Sequence, residues 1–293
     1  MKLSTKSAAA LIALLAASTV GGVYVSADEA SEAAEAEAAK TIKSDGRVEI
    51  GNAKDTGDDL KKTLDPETSG YLVQPGKTNG LDQMVVNTKK GPMKIERVPN
   101  FDFGKIEPQA NDVFQYAKDY DYKKNVAAKD QPEDLKDVKR GAIIQFADVR
   151  NDQFGYTVKA SMSEQFKNAE NKMLAGSTIL LNHGIMKAED TNENKVPTTF
   201  KTGDLKLVEG TDGLNGAAVE VVTAAATEGK GRFVVEYGQS GTFDKTDKFA
   251  GIGADEKDSA DKSVQLMIPN KTASNMAKGN YTAKITWTIG ATE

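Results

Sequence analysis

From about Val85 onward, short runs of alternating apolar and polar residues follow one another, separated by Gly, Asn and Asp. They lie at Met93 to Val98, Gly141 to Val149, Phe154 to Met162, Ser177 to Asn182, Asp204 to Val208, Ala217 to Thr223, Arg232 to Tyr237, Val264 to Ile268 and Tyr281 to Ile289. Several are rich in β-branched residues, and turn formers lie between them, which predicts strands rather than helices. The last run is the clearest. Tyr281, Ala283, Ile285, Trp287 and Ile289 alternate with Thr282, Lys284, Thr286 and Thr288, and a period of two puts the two sets on opposite faces of one strand. Phe154, Tyr156, Val158, Ala160 and Met162 repeat the arrangement. The pattern predicts an all-β domain, an antiparallel β-sandwich of two packed sheets. Asn111 to Lys139 does not fit it. That stretch is highly charged, carries Tyr116, Tyr120 and Tyr122 with few aliphatics, and reads as a long surface excursion or as short helical turns.

The N-terminus follows a different pattern. Lys2 and Lys6 precede an almost unbroken apolar run from Ala8 to Val20, and Val25 and Ala27 stand before Asp28. A charged start, an apolar middle and small or apolar residues ahead of the cut form a signal peptide, with cleavage expected after Ala27. The run is shorter than the roughly 20 residues a membrane-spanning helix needs, and no second stretch of that length follows. Residues 28–43 are Ala and Glu with almost no large apolar side chain, good helix formers without a face to bury. They read as a flexible acidic tail. Asp45 to Ile50 alternates and is expected to form one short strand. Gly51 to about Leu81 is polar, contains Pro66 and Pro75, and reads as a linker. The expected division is residues 1–27 signal peptide, 28–90 tail and linker, and 91–293 β domain.

Composition narrows the chemistry. The 293 residues contain no cysteine and one histidine, which removes disulfides, thiolate metal sites, thiol nucleophiles and multi-histidine metal centres together. The formal charge is −5, and losing residues 1–27 takes away Lys2 and Lys6 and no acid, leaving −7. That balance does not suit nucleic acid, whose phosphates call for clustered Lys and Arg. His183 lies just after a predicted strand with no G-x-S-x-G elbow anywhere, and reads as a turn histidine rather than a general base. The acidic stretch Asp255 to Asp261 lacks the spacing of an EF-hand loop and reads as a solvated loop. No catalytic constellation emerges, and neither a cofactor nor a metal is expected.

Three segments together resemble the WxL-domain family of Gram-positive cell-surface proteins. Gly91 to Gly104 is similar to the stretch that opens that domain. Asp148-Val149-Arg150 followed by Gly155-Tyr156-Thr157-Val158 stands where the family has its first Trp-x-Leu motif, and Tyr281 to Ile289 resembles the second, at Trp287-Thr288-Ile289. Asp45 to Ile50 and Leu64-Asp65-Pro66 are similar to its N-terminal strand and linker. The chain departs from the pattern in that Tyr156 replaces the first Trp, and Val158 and Ile289 replace the two Leu residues. These swaps keep a flat ring and β-propensity.

The resemblance implies a secreted, non-catalytic protein that attaches non-covalently to the cell wall through peptidoglycan or another wall polymer. It also implies assembly with other surface proteins, including a membrane-anchored WxL-interacting protein, so a subunit of such a complex is the alternative. A host-matrix adhesin is a third reading. The candidate binding residues are Tyr156, Thr157, Val158, Trp287, Thr288 and Ile289. A ring on a strand is either a platform for sugar rings or core. Sharing a face with Tyr281 and Ile285 favours core for Trp287, while for Tyr156 the two readings stand even.

Overall fold

A computed structural model describes residues 46–50, 62–73, 77–78, 81–127, 132–151 and 155–292. The expected signal peptide and acidic tail lie outside the described residues. The chain divides into a unit ending at Gly51 and a second from Asn52 to Glu293. In the first unit, Gly46 to Ile50 is exposed and forms no strand. Val48 and Ile50 are each 82% exposed, so the expected short strand is not there. Alternation builds a strand only where one face is buried, and these two side chains bury none.

Strands are the main regular structure among the described residues of the second unit. The first nine are β1 (Lys62–Leu64), β2 (Tyr71–Val73), β3 (Lys77–Thr78), β4 (Leu81–Asp82), β5 (Met84–Val86), β6 (Met93–Pro99), β7 (Val113–Tyr116), β8 (Tyr120–Asn125) and β9 (Leu135–Arg140). There follow β10 (Ala142–Asp148), β11 (Tyr156–Lys167), β12 (Thr178–Leu181), β13 (Gly184–Ala188), β14 (Thr199–Phe200), β15 (Leu205–Val208) and β16 (Val219–Ala224). The last four are β17 (Gly231–Tyr237), β18 (Ile252–Gly253), β19 (Val264–Ile268) and β20 (Thr282–Ala291); a short 3-10 turn, Thr211–Gly213, precedes β16, and one α-helical turn, α1 (Asn270–Ala273), precedes β20. They form a six-stranded sheet in the order β18-β13-β17-β10-β6-β5, the four-stranded sheets β1-β2-β8-β9, β14-β16-β11-β20 and β15-β12-β19-β7, and the hairpin β3-β4. The pairing is antiparallel throughout, as in β10 with β17 and β11 with β20.

The fold is all-β as expected, but with more sheets than a two-sheet sandwich. The reason lies in β10, every residue of which is buried. A strand covered on both faces needs a layer on each side. On one face Phe146 stacks on Phe233 at 6.0 Å and meets the edge of Tyr156 from β11 at 5.7 Å. On the other, Gln145 accepts the Leu64 amide at 2.7 Å from β1. The inward residues of the β12 sheet, among them Ile179, Leu181, Leu207 and Leu266, join the same core.

Two stretches differ from their sequence reading. The expected linker carries β1 to β4, and Leu64 and Leu72 within it are fully buried. Strands of two or three residues are too short to show a period, and β2 finds its second partner far along the chain in β8. The described residues of the charged stretch from Asn111 to Lys139 likewise hold strands and no helix: β7, β8 and most of β9 lie there. Tyr120 and Tyr122 point inward from β8 and fill the place of aliphatic side chains. The outward Lys123 pairs across the hairpin with Asp137 at 2.9 Å.

Candidate functional site

The two motif segments lie side by side. β11 pairs with β20 so that Val158 stands opposite Ile289, Ala160 opposite Trp287 and Tyr156 opposite Ala291. Residues directly opposed in an antiparallel pair share a face, so Tyr156, Val158, Trp287 and Ile289 form one inward patch. Tyr156 and Val158 are fully buried, and Trp287 and Ile289 are half-buried and packed on the core. Thr157, half-buried, and Thr288, exposed, point to the other face.

Local sequence fixes this corner. Gly155 holds a left-handed φ of +84°, and a Cβ there would come within 2.4 Å of Thr292 Oγ1, so a side chain would push the C-terminal residues off the start of β11. Gly229, at φ +80°, leaves the space taken by the Tyr156 ring: a Cβ would sit 2.7 Å from its Cε1. The entry to β11 is closed by Arg150, whose guanidinium donates to buried Asp148 at 2.8 and 2.7 Å and to the Gly155 carbonyl at 2.9 Å. The Tyr156 hydroxyl is buried without a hydrogen-bond partner. Burial first, then the negative charges of Asp148 and Glu228, push its ionisation well above that of an ordinary tyrosine.

The opposite face of the six-stranded sheet carries a buried ionic layer. Its hub is Asp65, in the turn between β1 and β2. Arg140 grips both Asp65 carboxylate oxygens at 3.0 and 2.9 Å, and Lys124 adds a contact at 2.7 Å. Lys187 donates to the Asp65 carbonyl at 3.0 Å and pairs with Asp190 at 2.7 Å. Burial alone would raise the Asp65 carboxyl, but Arg140 and Lys124 outweigh it and hold it at about 2. Glu67 accepts from the Ser240 amide and hydroxyl, both at 2.5 Å. Glu236 goes the other way. Its burial, with Glu67 close by, raises it well above the carboxylate range, and one of its oxygens accepts the Gly141 amide at 2.8 Å. Further along, Glu96 is shared by Arg232 at 2.8 Å and Gln145 at 2.6 Å. The layer couples the β1-β2 turn to four strands of the central sheet.

His183 is a turn residue between β12 and β13, at φ 54°, with Nδ1 2.9 Å from Ser263 Oγ. The loop at Asp255–Asp261 closes on itself through Ser259, whose hydroxyl donates to the Glu256 carbonyl at 2.6 Å and accepts the Gln239 amide at 2.9 Å. One aromatic feature does not stand out in the sequence pattern: β7 presents Phe114, 61% exposed, and Tyr116, 43% exposed, on the outer face of its sheet. The alternation Val113, Phe114, Gln115, Tyr116 was the signal, submerged in a stretch dominated by charge.

These features define an all-β domain in which two short aromatic-led motifs, far apart in sequence, form adjacent strands of one sheet. The chain belongs to the WxL family, whose domain, described as surface cell wall-binding, matches residues 37–292. It is therefore a wall-binding domain of the cell surface. The match begins in the acidic tail and takes in the short N-terminal strands. No curated protein and no solved structure gives a match. Among the described residues no helix is long and apolar enough to cross a membrane.

Proposed function

We propose that residues 1–27 are removed on export and that the mature chain attaches non-covalently to peptidoglycan, without catalysis. The family's wall-binding character carries this reading. The motif residues serve it indirectly: Tyr156, Val158, Trp287 and Ile289 join the strands that close the β11 sheet, and Thr157 and Thr288 are the motif positions turned the other way. With a charge of −7, general attraction to anionic wall polymers is unfavourable, so recognition is local. The test is sedimentation of the mature chain with sacculi stripped of protein and accessory polymers. Co-sedimentation that saturates with added protein is expected; a folded chain that stays in the supernatant contradicts autonomous wall binding.

A second reading, a subunit held by a surface partner, is favoured by one observation. β20 is ten residues long and stands at the end of its sheet, paired only with β11 among the described residues. A Cβ on Gly290 would meet nothing within 4 Å. Long open edges are templates for an added strand. The same sedimentation separates the readings, since autonomous binding needs no second protein.

A further inference from the structure

The outer face of the β15-β12-β19-β7 sheet is open, and its register sets two rows of side chains across it. Phe114 stands beside Met267, which stands beside Thr178, then Val208. Two residues along, Tyr116 stands beside Gln265, then Leu180, then Lys206. Strands about 4.8 Å apart make each row roughly 14 Å long, and a separation of two residues puts the rows roughly 7 Å apart. All eight positions lie outside the core, and Phe114, Tyr116, Lys206 and Val208 are exposed. Isolated exposed apolar residues mean little, but a flat contiguous face with two rings on one edge is a contact surface.

The chemistry of the face selects its occupant. In a chain with 43 acidic residues, these two rows contain no carboxylate and one cation, Lys206. Two rings offer faces to the apolar sides of sugar rings. The Gln265 amide, the Thr178 hydroxyl and the Tyr116 hydroxyl offer donors and acceptors beside them. Lys206 complements a carboxylate, and it also lines a groove of about 440 Å³ of mixed charge, where Lys201, Phe200 and Thr199 stand with the carboxylates Asp204 and Glu220. The face thus continues past its last strand into a cleft with a second lysine. An N-acetylated, carboxylate-bearing polysaccharide has the matching set: apolar sugar faces, amides and negative charge at intervals.

We propose that this sheet face, led by Phe114 and Tyr116 and ending at Lys206, is the surface that contacts the glycan strands of the wall. The proposal rests on the peptidoglycan-binding reading above and assigns it a surface away from the motif residues. The paired motif strands belong to a different sheet, and two of their four inward side chains are fully buried.

The test compares the mature chain with the double variant Phe114→Ser/Tyr116→Ser in binding to stripped sacculi, with folding of each checked by circular dichroism. Val85→Ser/Ile252→Ser removes exposed apolar side chains elsewhere and is the control. A loss of at least tenfold in affinity is expected for the ring variant and less than twofold for the control. Lys206→Ala is expected to weaken binding severalfold and to reduce its dependence on salt. Wild-type binding that the folded ring variant retains would overturn the proposal and leave the peptidoglycan reading standing. Failure of wild type itself to bind would remove both. Binding only to sacculi that keep their accessory polymers would move the ligand from the glycan to those polymers and overturn the proposal as stated.

Discussion

Asp65→Ala is expected to destabilise the domain by about 3–5 kcal/mol, read as a lower midpoint in urea unfolding. Asp65 is fully buried and is the shared anion of Arg140 and Lys124. Removing it leaves a buried guanidinium facing the cavity of its lost partner, and breaking a buried pair from one side costs far more than the pair contributes. The turn from Asp65 to Gly70 is tied to the same carboxylate, which accepts the Glu67 amide at 3.1 Å and the Thr68 hydroxyl at 2.8 Å. The pH dependence has a definite sign. A carboxylate held at about 2 in the folded chain contributes its stability above the ordinary aspartate range and loses it as pH falls toward 2, a contribution of about 2 kcal/mol. Wild type is therefore expected to lose stability through this window more steeply than Asp65→Ala, and parallel acid profiles would contradict the assignment.

The second large effect divides a ring from its hydroxyl. Tyr156→Ala is expected to cost about 3–5 kcal/mol, because a large buried side chain is removed and the cavity collapses only in part. Phe146 and the close-packed Gly229 corner both lose their neighbour. Tyr156→Phe is expected to leave stability unchanged or raise it by about 1 kcal/mol, since the hydroxyl is buried with no partner and its desolvation is not repaid. Thermal melts of the two variants check this. A Phe variant as unstable as the Ala variant would show that the hydroxyl, and not the ring, holds the corner.

What the sequence disclosed follows from how local each signal is. The strands β11 and β20 were legible because an apolar face alternates with a polar one over nine residues in each, Phe154 to Met162 and Tyr281 to Ile289. Trp287 is half-buried and packs against the core, and Tyr156, whose two readings stand even in the sequence, is fully buried. Their adjacency was not legible, because pairing between residues more than a hundred positions apart leaves no local mark. β1 and β2 were missed for the opposite reason: three residues carry no period, and their burial depends on Gln145 and β8. Leu64-Asp65-Pro66 stood out by resemblance alone. Only the structure shows that its aspartate anchors the ionic layer. Charge concealed β7 to β9: the inward residues of β8 are Tyr120 and Tyr122, and its outward Lys123 pairs with Asp137 of β9. The open face at Phe114 and Tyr116 disappeared with them.

The proposed division of labour has the motif strands build the domain while the wall is met elsewhere. Its most direct test is binding of folded Trp287→Leu to stripped sacculi, which removes the aromatic ring and keeps an apolar side chain against the core. Affinity within twofold of wild type is the expected result, with a lowered melting temperature as the mark of lost packing. A variant that keeps its fold and melts like wild type, yet loses binding tenfold or more, would contradict the claim and place the ligand on the motif.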